Sequence, residues 1–172
     1  QAVPYGTPRY FQARSRLAVL LAESGQRGAA RDVLFELVKV RPYGTRLQQQ
    51  DAERLQELAL INLARLYYGS GRHEDARRLY AQVHRRSPWR AVADLEGGWA
   101  ALLAGNTAGA VEGGLAAAEA SFLPEGALLA ASAVLQSSGC AAAVPHLETF
   151  LAAYRPMADE LVRLEGMDGA QL

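Results

Sequence analysis

A frame of 34 residues recurs along this chain, and no other feature of the sequence constrains its fold as strongly. In 57–90, Leu60, Leu63, Ala64, Tyr67, Gly71, Ala76, Tyr80, Val83 and Pro88 spell out helix, glycine turn, helix and proline stop. The block 91–124 keeps the frame with Gly98, Ala101, Gly105, Ala110 and Ala117. Upstream, 11–44 fits it with Leu17, Ala18, Leu21, Gly25, Ala30, Leu34, Leu37 and Pro42. A fourth copy, about 125–157, carries Leu128, Leu135, Gly139, Ala143, Leu147, Phe150 and Pro156, one residue short in its turn. Apolar spacing is helical almost throughout and period-two alternation is lacking, so the expected fold class is all-α.

Each residue type in the frame has a physical task. Ala64 and Ala76 are small enough for two antiparallel helices to approach closely, with Tyr67 and Tyr80 filling the space beside them. Gly71 supplies the positive φ of a tight turn. Pro88 lacks an N–H and clashes with the preceding turn, so it is expected to end the second helix. A single hairpin of this kind cannot bury its apolar face, and it gains stability by stacking on its neighbours.

The residues quoted resemble the tetratricopeptide repeat (TPR) family over nearly the whole chain. The match is closest in 57–90, where Leu60 stands in place of a frequent tryptophan. The third copy departs most, with Gly97, Gly98 and Gly114 where larger residues are usual and Phe122 near the usual proline. The resemblance implies a right-handed superhelical solenoid of about four helix-turn-helix repeats in one domain over 1–172, with a helical insertion at 45–56 and a capping segment at 158–172. In such proteins the first helices of successive repeats line a concave groove that holds a peptide or partner helix. By position, Ser15, Arg16 and Val19, then Ile61, Asn62, Arg65 and Tyr68, then Leu95, Trp99 and Leu102 would line it. Of the places that grip a terminal carboxylate in chaperone-type members, only Asn62 matches, the others holding Ser15, Val19, Leu95 and Trp99. The groove is therefore expected to be amphipathic, an Asn62/Arg65 polar pair beside a Tyr68/Trp99 aromatic anchor. The alternative is that Tyr68 and Trp99 bridge adjacent repeats.

A fainter likeness lies in SPWRAVADLEGGWAALLAGNTAGAV, SFLPEGALLAASAVL and FLAAYRPMADEL. Trp99, the Ser121–Glu125 entry and the Tyr154, Pro156, Glu160 exit are similar to envelope-associated TPR proteins of myxobacteria and relatives, some serving gliding motility. That likeness implies the periplasm and an envelope complex.

Two irregularities interrupt the frame. The run RLQQQDAERLQEL has neither Gly nor Pro and extends the next helix backward, predicting one helix from Arg46 to Tyr68, about 34 Å long. It either packs under Tyr10 and Phe11 or protrudes as a contact ridge. The third copy carries Gly97, Gly98, Gly113 and Gly114, each costing about 0.5–1 kcal/mol in a helix. The expected compensation is close packing around Trp99, the alternative a flexible joint or pocket floor.

Catalytic patterns are not found. Lys39 follows no phosphate-binding loop, and no histidine pair has metal-ligand spacing. His73 and His84 read as solvated residues near helix ends, and Cys140 as a packed thiol rather than a nucleophile. No enzyme activity, cofactor or metal is expected, and no run offers the roughly 18 apolar residues of a membrane span. The chain opens at Gln1 without an initiator methionine, so it reads as a processed or excised product and its start does not indicate a compartment.

The zero net charge is a cancellation. Residues 1–90 carry 16 Lys+Arg against 8 Asp+Glu, and residues 91–172 carry 2 against 10. Arg72, Arg77, Arg78, Arg85, Arg86 and Arg90 form a basic patch on and around one helix. The resulting expectation is a non-catalytic protein–protein interaction module, a scaffold in a bacterial multiprotein assembly. The first alternative is a self-associating spacer, a homo-oligomer held by complementary charged ends. The second is binding of an anionic surface or nucleic acid through the patch, although no aromatic residues are interleaved with its arginines for base stacking.

Overall fold

Helix pairing by glycine caps organises the chain. The structure, a computed structural model, describes residues 3–120 and 124–166. Among these are eight helices: α1 (Pro8–Glu23), α2 (Arg27–Leu37), α3 (Arg46–Tyr68), α4 (His73–Tyr80), α5 (Arg90–Leu103), α6 (Thr107–Ala120), α7 (Pro124–Ser138) and α8 (Cys140–Glu165). The expected all-α class holds among the described residues. Phe122, Ser121 and the segment 167–172 lie outside them.

The turns of the first three pairs are built alike. Gly25, Gly71 and Gly105 have φ of 80°, 75° and 79°. In each, the following residue donates its N–H five residues back: Gln26 to the Leu21 carbonyl at 2.8 Å, Arg72 to Tyr67 at 3.0 Å, and Asn106 to Ala101 at 2.8 Å. The glycine itself bonds three back, to Ala22, Tyr68 and Leu102. Together these bonds form the Schellman cap, which satisfies carbonyls left open at a helix end. Arg72 also lies over the Tyr67 ring, 4.4 Å from its centroid, closing the cap from outside. Gly139, with φ 82°, turns α7 into α8 one residue sooner, as the shortened fourth frame requires.

Helices pack mainly on chain neighbours, with α1 also on α3 and α5 on α7. A first core cluster gathers Phe11, Ala18, Val33, Leu34, Leu37, Val40, Ala52, Ala59 and Leu63. A second holds Leu60, Ile61, Ala64, Ala76, Tyr80, Val83, Ala93 and Ala100, and a third Ala101, Ala110, Leu129 and Ala133.

Helix α3 spans the expected 23 residues, and Thr45 opens it with a reciprocal capping box to Gln48. Residues 46–51 are exposed, and the helix packs inward from Ala52, which shares the cluster of Phe11 with Tyr10 and Leu55 against it. Just beyond, the Gln56 amide donates to the carbonyls of Leu37, Val38 and Val40 at 3.2, 2.9 and 2.9 Å. The long helix thus closes the open end of α2. Gln56→Ala removes this donor from the Val38 and Val40 carbonyls, Leu37 still accepting from the Val40 N–H, and is expected to cost about 1–3 kcal/mol, read as a lower denaturant midpoint at unchanged slope.

Four expectations need correction. The second helix of the 57–90 copy ends at Tyr80, well before Pro88. Val83 turns back into the second core cluster, and Glu57 on α3 holds the following loop by accepting from the His84 N–H at 3.2 Å and the Ser87 hydroxyl at 2.5 Å. These tertiary bonds end the helix before the proline can.

Pro156 is not a stop: α8 runs through Pro145 and Pro156 to Glu165, so the described part of the expected capping segment continues this helix, and 167–172 lie outside the described residues. The carbonyls that lose their partners belong to Ala141 and Ala152, both exposed, where water can replace the missing N–H.

Cys140 is exposed at the first position of α8, since the shortened turn gives it no neighbour to pack under. His73 is half-buried, its ring edge-on to Tyr68 at 5.2 Å and its Nδ1 buried without a hydrogen-bond partner, because it opens α4 facing α3 rather than solvent.

Candidate partner-binding surface

The surface expected to bind a partner is carried by α3 and α5, which Glu96 fastens together. The Arg65 guanidinium reaches across from α3, with Nε 2.8 Å and 3.1 Å from the two Glu96 carboxylate oxygens and a terminal nitrogen at 2.5 Å. The Tyr80 hydroxyl on α4 donates to the same carboxylate at 2.8 Å. Tyr80 is buried, and a buried phenol needs such an acceptor. Charge-assisted, forked hydrogen bonds of this kind fix orientation as well as add energy. Three helices therefore meet at one carboxylate.

The titration of these groups follows from the geometry. Burial, then the hydrogen bond to Glu96, pushes the Tyr80 phenol well above its ordinary value of 10.0. The hydrogen bond to Glu96 raises Arg65 further above the usual arginine range. A phenol whose folded value is raised contributes stability that is complete below the unfolded value and lost as pH climbs past it. Stability is expected to fall above about pH 10, and Tyr80→Phe should remove that part of the alkaline loss in a pH series of thermal melts.

The expected polar pair is present: an Arg65 terminal nitrogen lies 3.4 Å from Asn62 Oδ1. Most of its fork is occupied by Glu96, so Arg65 acts in this surface chiefly as a positioned strut. The aromatic anchor is divided. Tyr68 packs on the second core cluster, whereas Trp99 packs on the third beside Leu95 and Leu102. Tyr68, Trp99 and Leu102 are all half-buried, and Arg16 is exposed on α1. The structure thus joins Asn62 with Arg65 on α3, where Tyr68 follows one turn later against the second cluster, and Trp99 with Leu102 on α5, while Arg16 is on α1.

The glycines of the third copy do mediate close packing, but not around Trp99. A Cβ on Gly97 would come within 3.0 Å of Tyr80, and one on Gly98 within 2.7 Å of Leu129. Gly113 faces the Asp94 carbonyl and Gly114 the Gly126 carbonyl. They let α4, α5, α6 and α7 approach backbone to backbone or side chain to backbone.

The basic patch is largely neutralised from within. Arg72 pairs with Asp75, Arg77 and Arg78 with Glu74, and Arg90 with Asp94. Hydrogen bonding from Arg77 pulls the Glu74 carboxyl down to about 2. Arg85 and Arg86 have no ion pair among the described residues. A cleft of about 630 Å³ between α4, α5 and α6 has Arg77, Arg85 and Arg90 along one side, and Glu112 and Glu119 from α6. It includes none of the ten residues expected to line the partner groove.

Sequence reasoning passed over Glu96, Tyr80 as its donor, and the loop anchors Gln56 and Glu57. The available signal was a glutamate one helical turn before Trp99, on a helix whose other charges, Arg90 and Asp94, sit at i, i+4 and can pair with each other. Among the described residues no group of three or more His, Cys, Asp or Glu side chains could hold a metal ion, and no helix is long and apolar enough to cross a membrane. No family model matches the chain, and no curated protein and no solved structure matches it either.

Proposed function

We propose that this chain is a TPR-like helical-repeat module that binds other proteins without catalysis, as a scaffold in a bacterial envelope assembly, gliding motility being one process of that kind. The observation that carries the reading is the succession of glycine-capped helix pairs, with Gly71, Gly105 and Gly139 each 34 residues apart and Gly25 displaced by the insertion. Hairpins repeated in this way stack into a right-handed solenoid, and its concave face is preformed before any partner arrives. On that face Asn62, the Arg65 strut held by Glu96, Trp99 and Leu102 present a mixed polar and aromatic surface to an extended or helical segment. Tyr68 and Arg16 extend it toward the N-terminal end. The ion pairs within the basic patch leave Arg85 and Arg86 as its uncommitted cations, which favours protein binding over phosphate binding.

Site-specific photo-crosslinking in the producing bacterium tests this reading. A crosslinkable residue at Leu102 or Arg16 is expected to capture a partner, and Trp99→Ala is expected to abolish capture while the helical circular dichroism stays unchanged. The same probe at Asp32, exposed on α2, should capture nothing. Capture that is equal at Asp32, or indifferent to Trp99→Ala in folded protein, would overturn the groove assignment.

A further inference from the structure

Exposed large apolar side chains gather at the two ends of the array. Between Tyr43 and Leu128 the described residues expose only Leu47, Trp89, Leu103 and Leu115 in this class, whereas α1 and α8 each present a row. On α8, Val144, Leu147, Leu151 and Leu161 recur at helical spacing and all are exposed. This helix packs on α7, and Ala143 is its one buried described side chain. A hollow of about 480 Å³ runs along it, where Glu148 and Asp159 lie on either side of Leu151 and Arg155 is the one cation in the lining. On α1, exposed Leu17 and Leu20 follow Ala13 on one face, with Arg9 and Arg16 beside them. Neither arginine has an ion pair among the described residues.

The charges at these ends are opposite. Residues 3–44 hold seven Lys+Arg against three Asp+Glu, and residues 124–166 hold two against five. An apolar row flanked by cations and one along which carboxylates outnumber arginine are complementary in both chemistry and sign. We infer that this chain associates head to tail with further copies of itself, α8 of one copy docking on α1 of the next. Like-charge repulsion disfavours α1 against α1 and α8 against α8, so the contact is heterologous. Each added copy then leaves one free end of each kind, which yields open chains unless the rotation closes a ring. Helix α1, at 16 residues, limits the contact to a face about 24 Å long and about 10 Å wide, roughly 240 Å² per partner and under a third of a standard interface, so the association is weak and concentration-dependent.

The inference shares Arg16 with the proposed partner surface and is tested apart from it, on the purified chain alone, by sedimentation velocity. Wild-type protein at about 100 µM is expected to form dimers and larger species at about 20 mM salt and to revert toward monomer at about 500 mM. Leu20→Glu and Leu161→Lys change exposed positions, each 62% accessible, so folding should survive. Each alone should weaken association about tenfold or more, by setting like charges against each other. The double variant should recover association, because glutamate on α1 then meets lysine on α8. A monomer at low salt, association that ignores both variants, or loss with Leu161→Lys but not Leu20→Glu would each overturn the head-to-tail contact, the last in favour of an α8–α8 dimer.

Discussion

Gly114→Ala is expected to destabilise the protein by about 2 kcal/mol, although alanine is the better helix former. A Cβ at Gly114 would lie 2.5 Å from the Gly126 carbonyl oxygen and 2.9 Å from the Ala130 nitrogen. From the other side, a Cβ at Gly126 would run into the Gly114 carbonyl oxygen and lie 2.8 Å from the Ala118 nitrogen. These are backbone atoms, which cannot rotate aside, so α6 and α7 must separate. Separation opens contacts among Ala110, Ala117, Leu129, Ala130 and Ala133, all at 0% exposure. Alanine propensity returns about 0.5–1 kcal/mol, against about 1–3 for forcing extra volume into a packed contact. Gly126→Ala should behave alike, and the two together should cost less than their sum, since the first separation accommodates the second methyl. Gly28→Ala is the control: a Cβ there meets nothing within 4 Å, so a small gain of about 0.5 kcal/mol is expected. Denaturant titrations of the four proteins decide the matter, and a neutral or stabilised Gly114→Ala would show that α6 and α7 do not touch backbone to backbone.

The glycine pairs also show where sequence reasoning stops. Gly113 and Gly114 inside a helix signalled a close approach, because only a compensating contact makes two interior glycines tolerable. What each approaches was a matter of three-dimensional placement: the Asp94 backbone, one helix back, for Gly113 and the Gly126 backbone, one helix onward, for Gly114, rather than Trp99. The turn glycines were legible because the positive φ at Gly25, Gly71, Gly105 and Gly139 is a local demand that glycine meets best. Helix α3 was legible for the same reason: uninterrupted helix formers behind a Thr45 cap fix both ends locally.

Proline misled where its effect was not local. Whether Pro156 ends a helix depends on whether the Ala152 carbonyl can reach water, and in an exposed helix it can. Whether Pro88 ends one depends on Glu57, which is 31 residues earlier and holds the loop first. The partner surface was half legible. Periodicity puts Asn62 and Arg65 within one turn on α3, yet nothing in the spacing says that Glu96 occupies the guanidinium. Long-range ion pairs join positions that are remote in the chain, and a repeat frame reports only that both faces exist.

Phe11→Ala is expected to have the largest effect, about 3–5 kcal/mol, and to act unevenly along the molecule. The ring is fully buried among Leu34, Leu37, Ala52, Ala59 and Leu63, and stands edge-on to Tyr10 with centroids 6.1 Å apart. Removing it loses apolar burial and leaves a cavity walled by three helices, which cannot collapse without moving α1 off α3. The first cluster touches the second through Val38, Tyr67 and Leu79, the half-buried residues common to both, and has no member in common with the third. In an array whose units contact only their neighbours, stability is a sum of local terms, so damage stays near its source. Hydrogen exchange should therefore show protection falling in α1, α2 and the early turns of α3, while α5, α6 and α7 keep most of theirs. The melt should broaden or split, since the N-terminal pair then unfolds ahead of the rest. A uniform loss of protection across all eight helices would mean that the three clusters unfold as one cooperative core, and the additive, neighbour-only account of this chain would fail.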